Sequence, residues 1–286
     1  DWVIHAFNQN MPYDKFLTNQ IAGDLLPHAT KENILATAFF RNHKYTEEGG
    51  VIDEEYRVSY NVDKTRTFGK AILGVTIECA QCHDHKYDPF SQKDYFQLYA
   101  FFNESKEKGY EGDVGRSTPA KNPKLLISKE ERKGLFSYIN AYDTTTLQIS
   151  VMGDSVVKRP TYILARGSYD APTNIRVKPT ALESVMAFDT LAYPRNRLGL
   201  AKWTTDKKNP LTARVFVNFI WQEIFGKGLV KTSSDYGLQG EMPTHPELLD
   251  WLAVDFMEHN WDIKYLIKKI LTSSTYCQSG EISKKQ

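Results

Sequence analysis

Cys79-Ala80-Gln81-Cys82-His83 sets two thiols three positions apart and an imidazole directly after the second. That is the spacing at which two cysteines add to the vinyl groups of a haem while the next histidine reaches the iron. The run therefore predicts one covalent c-type haem, with Cys79 and Cys82 as its thioether anchors and His83 as an axial ligand. Two other readings use the same residues. A pair of reduced core cysteines beside an incidental histidine would need no chemistry at all. Zinc held by Cys79, Cys82, His83 and His85 would place four ligands within seven residues, whereas structural zinc sites bring their second pair from a distant segment. The chain has only three cysteines, too few for a disulfide framework. The third, Cys277, reads as a buried thiol.

Outward from this run, apolar residues recur at helical spacing on both sides. Upstream, Phe16, Leu17, Ile21, Leu25 and Leu26 form one helical face before Pro27, and Thr30 opens a second helix carrying Ile34, Leu35, Ala38 and Phe39. A third spans Asp53 to about Leu73, with acidic residues at its positive N-terminal end. Downstream, Ser91 caps a helix whose Tyr95, Phe96, Leu98, Tyr99, Phe101 and Phe102 make a dense aromatic face, the pattern of a core rather than of a contact surface. Residues 103–127 turn polar and rich in Gly and Pro. Ser128 to Glu131 is a capping box, Thr161-Tyr162-Ile163-Leu164 reads as an isolated strand, and 165–196 reads as linker broken by Gly167, Pro172, Pro179 and Pro194. A second helical region follows: Asn209-Pro210 starts a helix that Gly226 and Gly228 stop, Thr244-His245-Pro246-Glu247 offers another capping box, and a last helix runs from Asp262 towards Ser274. The expected fold is mostly α, two helical blocks joined by an irregular, proline-rich middle: 1–110 around the haem, 111–194 with little regular structure, and 195–286 as the companion.

A formal net charge of +1 with no long block of one sign argues against binding nucleic acid by bulk charge. No stretch reaches the roughly 18 to 20 apolar residues that cross a bilayer. The opening Asp1-Trp2-Val3-Ile4-His5-Ala6-Phe7 reads as the interior of an amphipathic helix, so the chain is expected to be a fragment of a longer protein. For the second axial ligand, His43, at a helix end in the first block, is the nominee, ahead of His85, His245, Met11 and Met242. Arg57, Lys64 and Arg66 precede the motif on a helix, and Arg57 and Arg66 are the candidate partners of the haem propionates. In the second block Arg214, Asn218 and Gln222 recur every fourth residue as a polar stripe that either lines a cleft or faces water.

The longer run Leu73-Gly74-Val75-Thr76-Ile77-Glu78-Cys79-Ala80-Gln81-Cys82-His83-Asp84-His85-Lys86-Tyr87-Asp88-Pro89-Phe90 resembles the planctomycete-type cytochrome domain family. So do Arg41-Asn42-His43, Asp53-Glu54-Glu55-Tyr56-Arg57 and Asp94-Tyr95-Phe96. Asn196-Arg197-Leu198-Gly199-Leu200-Ala201, Asn209 to Val215, Gly237-Leu238-Gln239-Gly240 and Thr244 to Trp251 resemble the companion C-terminal domain. The resemblance implies haem c, an extracytoplasmic location, a link to polysaccharide degradation and carbohydrate as a partner. The function expected is that of an exported cytochrome passing electrons between redox partner proteins or within a larger complex. The runner-up is a haem-dependent oxidoreductase whose open distal site, bordered by His43 and Arg57, acts on peroxide or a sugar-like substrate.

Overall fold

Capping residues legible in the sequence set several of the helix starts. In the computed structural model of the chain, residues 1–113, 115, 118, 120–140 and 146–279 are described. After α1 (Trp2–Asn8) and α2 (Tyr13–Ala22), Thr30 caps α3 (Lys31–Ala36) through a reciprocal pair with Asn33. Such a box satisfies two helix-end donors at once. α4 (Asp53–Phe68) widens into a π turn, Gly69–Leu73, ended by Gly74 at φ +61°. Ser91 with Asp94 caps α5 (Gln92–Asn103), and Ser128 with Glu131 caps the short α6 (Lys129–Lys133). The aromatic residues of α5 are all buried, as their spacing predicts.

The middle of the chain corrects the expectation of an irregular linker. β1 (Lys124–Ser128) pairs antiparallel with β2 (Thr146–Ser150), and β3 (Thr161–Leu164) pairs antiparallel with β4 (Pro172–Val177). The strand at 161–164 is therefore not isolated. Its partner was hidden because Pro172, which lacks an N–H, stands at the first position of β4, where a strand tolerates it.

The C-terminal helices are α7 (Arg197–Thr204), α8 (Thr212–Phe225), α9 (Pro246–Glu258) and α10 (Ile263–Leu271). Gly226, at φ +76°, closes α8 in the left-handed conformation that favours glycine. The capping box expected at Thr244 does not form. His245 takes the cap position without a side-chain bond, and both the N–H and the hydroxyl of Thr244 turn to the Leu229 carbonyl.

Nor do the helices fall into two separate blocks. One apolar core runs from Trp2 to Ile270, and Tyr13 of α2 stacks on Phe216 of α8 with ring centroids 3.7 Å apart. Arg197, with no exposed surface, joins three regions: its guanidinium takes Asp24 at 2.6 and 2.8 Å, the Ile21 carbonyl at 2.8 Å and Asp154 at 2.9 and 3.0 Å. Burial alone would weaken its hold on the proton, and the two carboxylates more than reverse that. The fold is mostly helical with two small sheets, and no helix among the described residues is long and apolar enough to cross a membrane.

Candidate functional site

Beyond Gly74 the chain passes through buried Val75 and Ile77 into a single 3-10 turn, Glu78–Gln81. The N–H groups of Cys82 and His83 both point at the Cys79 carbonyl, at 3.2 and 3.4 Å. In a 3-10 turn residues three apart eclipse, which sets Cys79 and Cys82 on one side of it, with His83 next in the chain. All three are exposed, the cysteines are not in disulfides, and Ala80 is fully buried. The His83 Nδ1 lies 2.7 Å from the Asp84 carbonyl. A bond to a carbonyl oxygen needs the proton on Nδ1, which leaves the lone pair of Nε2 free to bind a metal, the arrangement usual for a metal-ligating histidine.

Neighbouring residues hold this turn in place. The Gln81 side chain accepts from Arg66 at 3.0 Å and donates to the Gly167 carbonyl at 3.3 Å. Gln92 Nε2 donates to the carbonyls of Gln81 and Leu164, at 3.0 and 3.1 Å, tying the turn to α5 and β3. At Gly167 φ is +71°, and a Cβ there would stand 2.8 Å from Gln81 Cγ. Tyr95 lies close enough to Arg66, Glu78 and Cys82 to feel their charges, and its buried hydroxyl has no hydrogen-bond partner. As residues of the site, Gln81, Gln92 and Tyr95 were not singled out by the sequence reading; Gln81 stands inside the motif and Tyr95 was read only as part of an aromatic core face.

The loop after the motif is closed by His85 and Asp88. His85 N–H donates to the Phe90 carbonyl, and His85 Nδ1 accepts from the N–H groups of Asp88 (2.8 Å) and Tyr87 (3.3 Å). The His85 ring is buried in this turn, with its Nδ1 taken by these two N–H groups. Among the described residues, no group of three or more His, Cys, Asp and Glu side chains is placed to hold a metal ion.

Of the other nominated residues, Arg66 stands beside the motif, through Gln81. Arg57 is engaged elsewhere, by two bonds to Glu54 and one of 2.6 Å to Asn103. The nomination of His43 as a second axial ligand is corrected. Its side chain is fully buried, with Nδ1 at 2.8 Å from the Lys44 carbonyl and Nε2 at 2.7 Å from Glu107 Oε1, so neither nitrogen is available. Glu107 also meets Arg41 Nε at 2.9 Å and the Lys64 ammonium, making a cluster of one acid and three basic side chains, each side chain at most 2% exposed. Burial alone would raise the Glu107 pKa, but Lys64, His43 and Arg41 outweigh it and hold the carboxyl down to about 2. Burial pushes Lys64 down to about 8, against the pull of Glu107 and helped by repulsion from Arg41.

In the C-terminal region the expected polar stripe divides. Asn218 is buried and exchanges two 2.9 Å bonds with Val230, whereas Arg214 pairs with Asp250 on the surface side. Cys277 is exposed rather than buried.

Two protein families match parts of the chain: PSCyt2, described as a protein of unknown function (DUF1549), over residues 1–107, and PSD1, described as a protein of unknown function (DUF1553), over residues 196–286. No curated protein and no solved structure matches. These matches overturn the resemblance to a haem-bearing cytochrome family. Both matching families are described as proteins of unknown function, and neither description assigns a haem. The link to polysaccharide degradation came only from that resemblance.

Proposed function

We propose, from the residues of the motif and not from a family, that the chain carries one covalent c-type haem on Cys79 and Cys82, with His83 on the iron, and serves electron transfer. The observation that supports the reading is that both thiols are free and exposed and that the exposed His83 next to them keeps Nε2 open through the Nδ1 contact to the Asp84 carbonyl. When bound, the group supplies a one-electron couple. The chain's own contribution is to fix the three side chains on a turn braced by Gln81, Gln92 and the Gly167 carbonyl, and to set the Arg66 cation beside them. Their exposure suits contact with redox partner proteins. Haem c is attached after export, so the reading includes a periplasmic or extracellular location. Electron transfer is preferred to catalysis because His43 and Arg57, the residues expected to border an open distal site, are both held in other contacts.

The test is to produce the full chain with a periplasmic haem c maturation system and to record denaturing mass spectra and oxidised and reduced absorption spectra. The expected result is a mass increase of one haem that survives denaturation, lost in the double variant Cys79→Ala/Cys82→Ala, with a changed iron spectrum in His83→Ala. Folded protein with both thiols titratable and no covalent haem would sink the reading. A spectrum that shifts on adding carbon monoxide would favour the oxidoreductase.

A further inference from the structure

α2 buries one face, and Gln20 stands on it among the buried apolar residues Phe16, Leu17 and Ile21. A core-facing position of this kind ordinarily carries an apolar side chain. Gln20 is 4% exposed, yet among the described residues its amide makes no hydrogen bond. Buried amides in that state are rare, because each unpaired donor and acceptor keeps its full desolvation cost. The amide is also within reach of a ligand: its oxygen and nitrogen both retain accessible surface, unlike Trp2 Nε1 nearby, which is sealed and takes no part. Gln20 lines an open pocket of about 240 Å³ between α1, α2, the segment 35–42 and β2. The other walls are mainly apolar, with Leu35, Phe39 and Ile149, and the small side chains of Ala36 and Ala38 leave the room.

A mainly apolar pocket with a polar anchor in its wall is the usual form of a small-molecule site. We propose that this pocket binds a small uncharged carboxamide, whose N–H donates to Gln20 Oε1 and whose carbonyl accepts from Gln20 Nε2, while its apolar body lies against Leu35, Phe39 and Ile149. The anchor selects the group. A primary amide offers a donor and an acceptor side by side, and a second amide presents the matching pair. Charge decides against the alternatives. Among the described residues no Lys, Arg or His side chain lines the pocket, and its one charged side chain, Asp1, is acidic and accepts the Asn140 N–H at 3.0 Å. A carboxylate would be buried without a cation and would leave Gln20 Oε1 unpaired. An ammonium would leave Gln20 Nε2 unpaired. Apolar walls select the body, and the volume limits it to about one ring or a short branched chain. The pocket shares no lining residue with the cysteine turn, so its failure would leave the reading of the cysteines untouched.

Calorimetric titration of the full chain with benzamide, benzoate and benzylamine tests this directly. Benzamide is expected to saturate one site and to bind about ten-fold or more tighter than either ion, the usual net worth of two neutral hydrogen bonds. Gln20→Leu, an apolar replacement of similar size, is expected to weaken benzamide by about the same factor. Ala38→Phe, which fills the pocket from a half-buried position and leaves Gln20 in place, is expected to abolish benzamide binding. If Gln20→Leu fails to fold, the order of the three ligands on the native chain and the effect of Ala38→Phe decide. No saturable binding of benzamide would mean that water alone pairs the amide, and would overturn the proposal. So would benzoate or benzylamine binding as tightly as benzamide, or benzamide affinity unchanged in Gln20→Leu or in Ala38→Phe.

Discussion

Replacing Glu107 with glutamine removes the negative charge that, among the described residues, Arg41, His43 and Lys64 share in the interior, while keeping the shape of the side chain. Two estimates of the cost agree. Removing one partner of a buried ion pair typically costs about 3–5 kcal/mol, because the charge left behind is neither solvated nor paired. Independently, holding the carboxyl at about 2 instead of 4.5 corresponds to about 3 kcal/mol of favourable interaction with the ionised form. The three contacts do not sum beyond this range. Lys64 already sits at about 8, held up by Glu107, so once that support is gone it sheds its proton near neutral pH and one uncompensated charge disappears. Urea unfolding followed by circular dichroism at pH 7 is expected to show a loss of about 3–5 kcal/mol for Glu107→Gln, with part recovered in Glu107→Gln/Lys64→Met. A loss below about 1 kcal/mol would refute the argument, since it would mean that the cluster is solvated or that its charges are not coupled.

The same cluster fixes two pH trends of opposite sign. Glu107's folded pKa lies below its unfolded value, so its contribution is present above pH 4.5 and is lost as pH falls towards 2; Glu107→Gln should flatten that acid limb of a stability profile. Lys64's folded pKa is depressed, so between about 8 and 10.5 the unfolded chain holds the proton more often and stability should rise with pH there, a rise absent in Lys64→Met. Arg197→Leu leaves Asp24 and Asp154 without their cation and should cost about 3–5 kcal/mol in the same unfolding assay, with no loss if the two carboxyls find other partners. Asn218→Ala strands both the N–H and the carbonyl of Val230 in the interior and should cost about 2 kcal/mol or more; a neutral effect would show that water replaces the amide. Gly167→Ala forces a Cβ at positive φ into Gln81 and should lower stability by about 1–2 kcal/mol while reducing haem incorporation at Cys79 and Cys82; full incorporation would mean that Gln81 does not brace the turn.

Local signals in the sequence were reliable where one short segment carries the whole decision. Thr30, Ser91 and Ser128 cap their helices because the cap and its partner are three residues apart, and Gly226 stops α8 by its own conformation. At Thr244 the same signal failed because a competitor distant in sequence, the Leu229 carbonyl, takes both of its donors. The hairpin of β3 and β4 was invisible for a related reason: pairing is a property of two segments, and Pro172 read as a breaker when it merely stands first in its strand. In the candidate site, the motif was already legible in the sequence, and the structure sets Arg66 beside it through Gln81. His43 misled because a histidine after a helix looks solvent-facing, and only the fold reveals that Glu107, 64 positions on, turns inward to meet it.

The matched regions 1–107 and 196–286 are not neighbours tied only through the intervening chain, because they meet around the cysteine motif. Tyr236 N–H bonds to the Gly74 carbonyl at 2.7 Å, immediately before the segment that leads into the motif, and Leu238 N–H bonds to Asp88 at 2.6 Å, immediately after the loop that leaves it. Gly74 is confined there twice over, by φ +61° and by the Tyr236 ring, which a Cβ would approach to 2.7 Å. One stretch, Tyr236 to Leu238, thus grips both ends of the segment that carries Cys79, Cys82 and His83. Fixing both ends from a distant part of the chain restricts how far the segment can move as a whole, and the haem proposed for Cys79, Cys82 and His83 would be held only as firmly as that segment is.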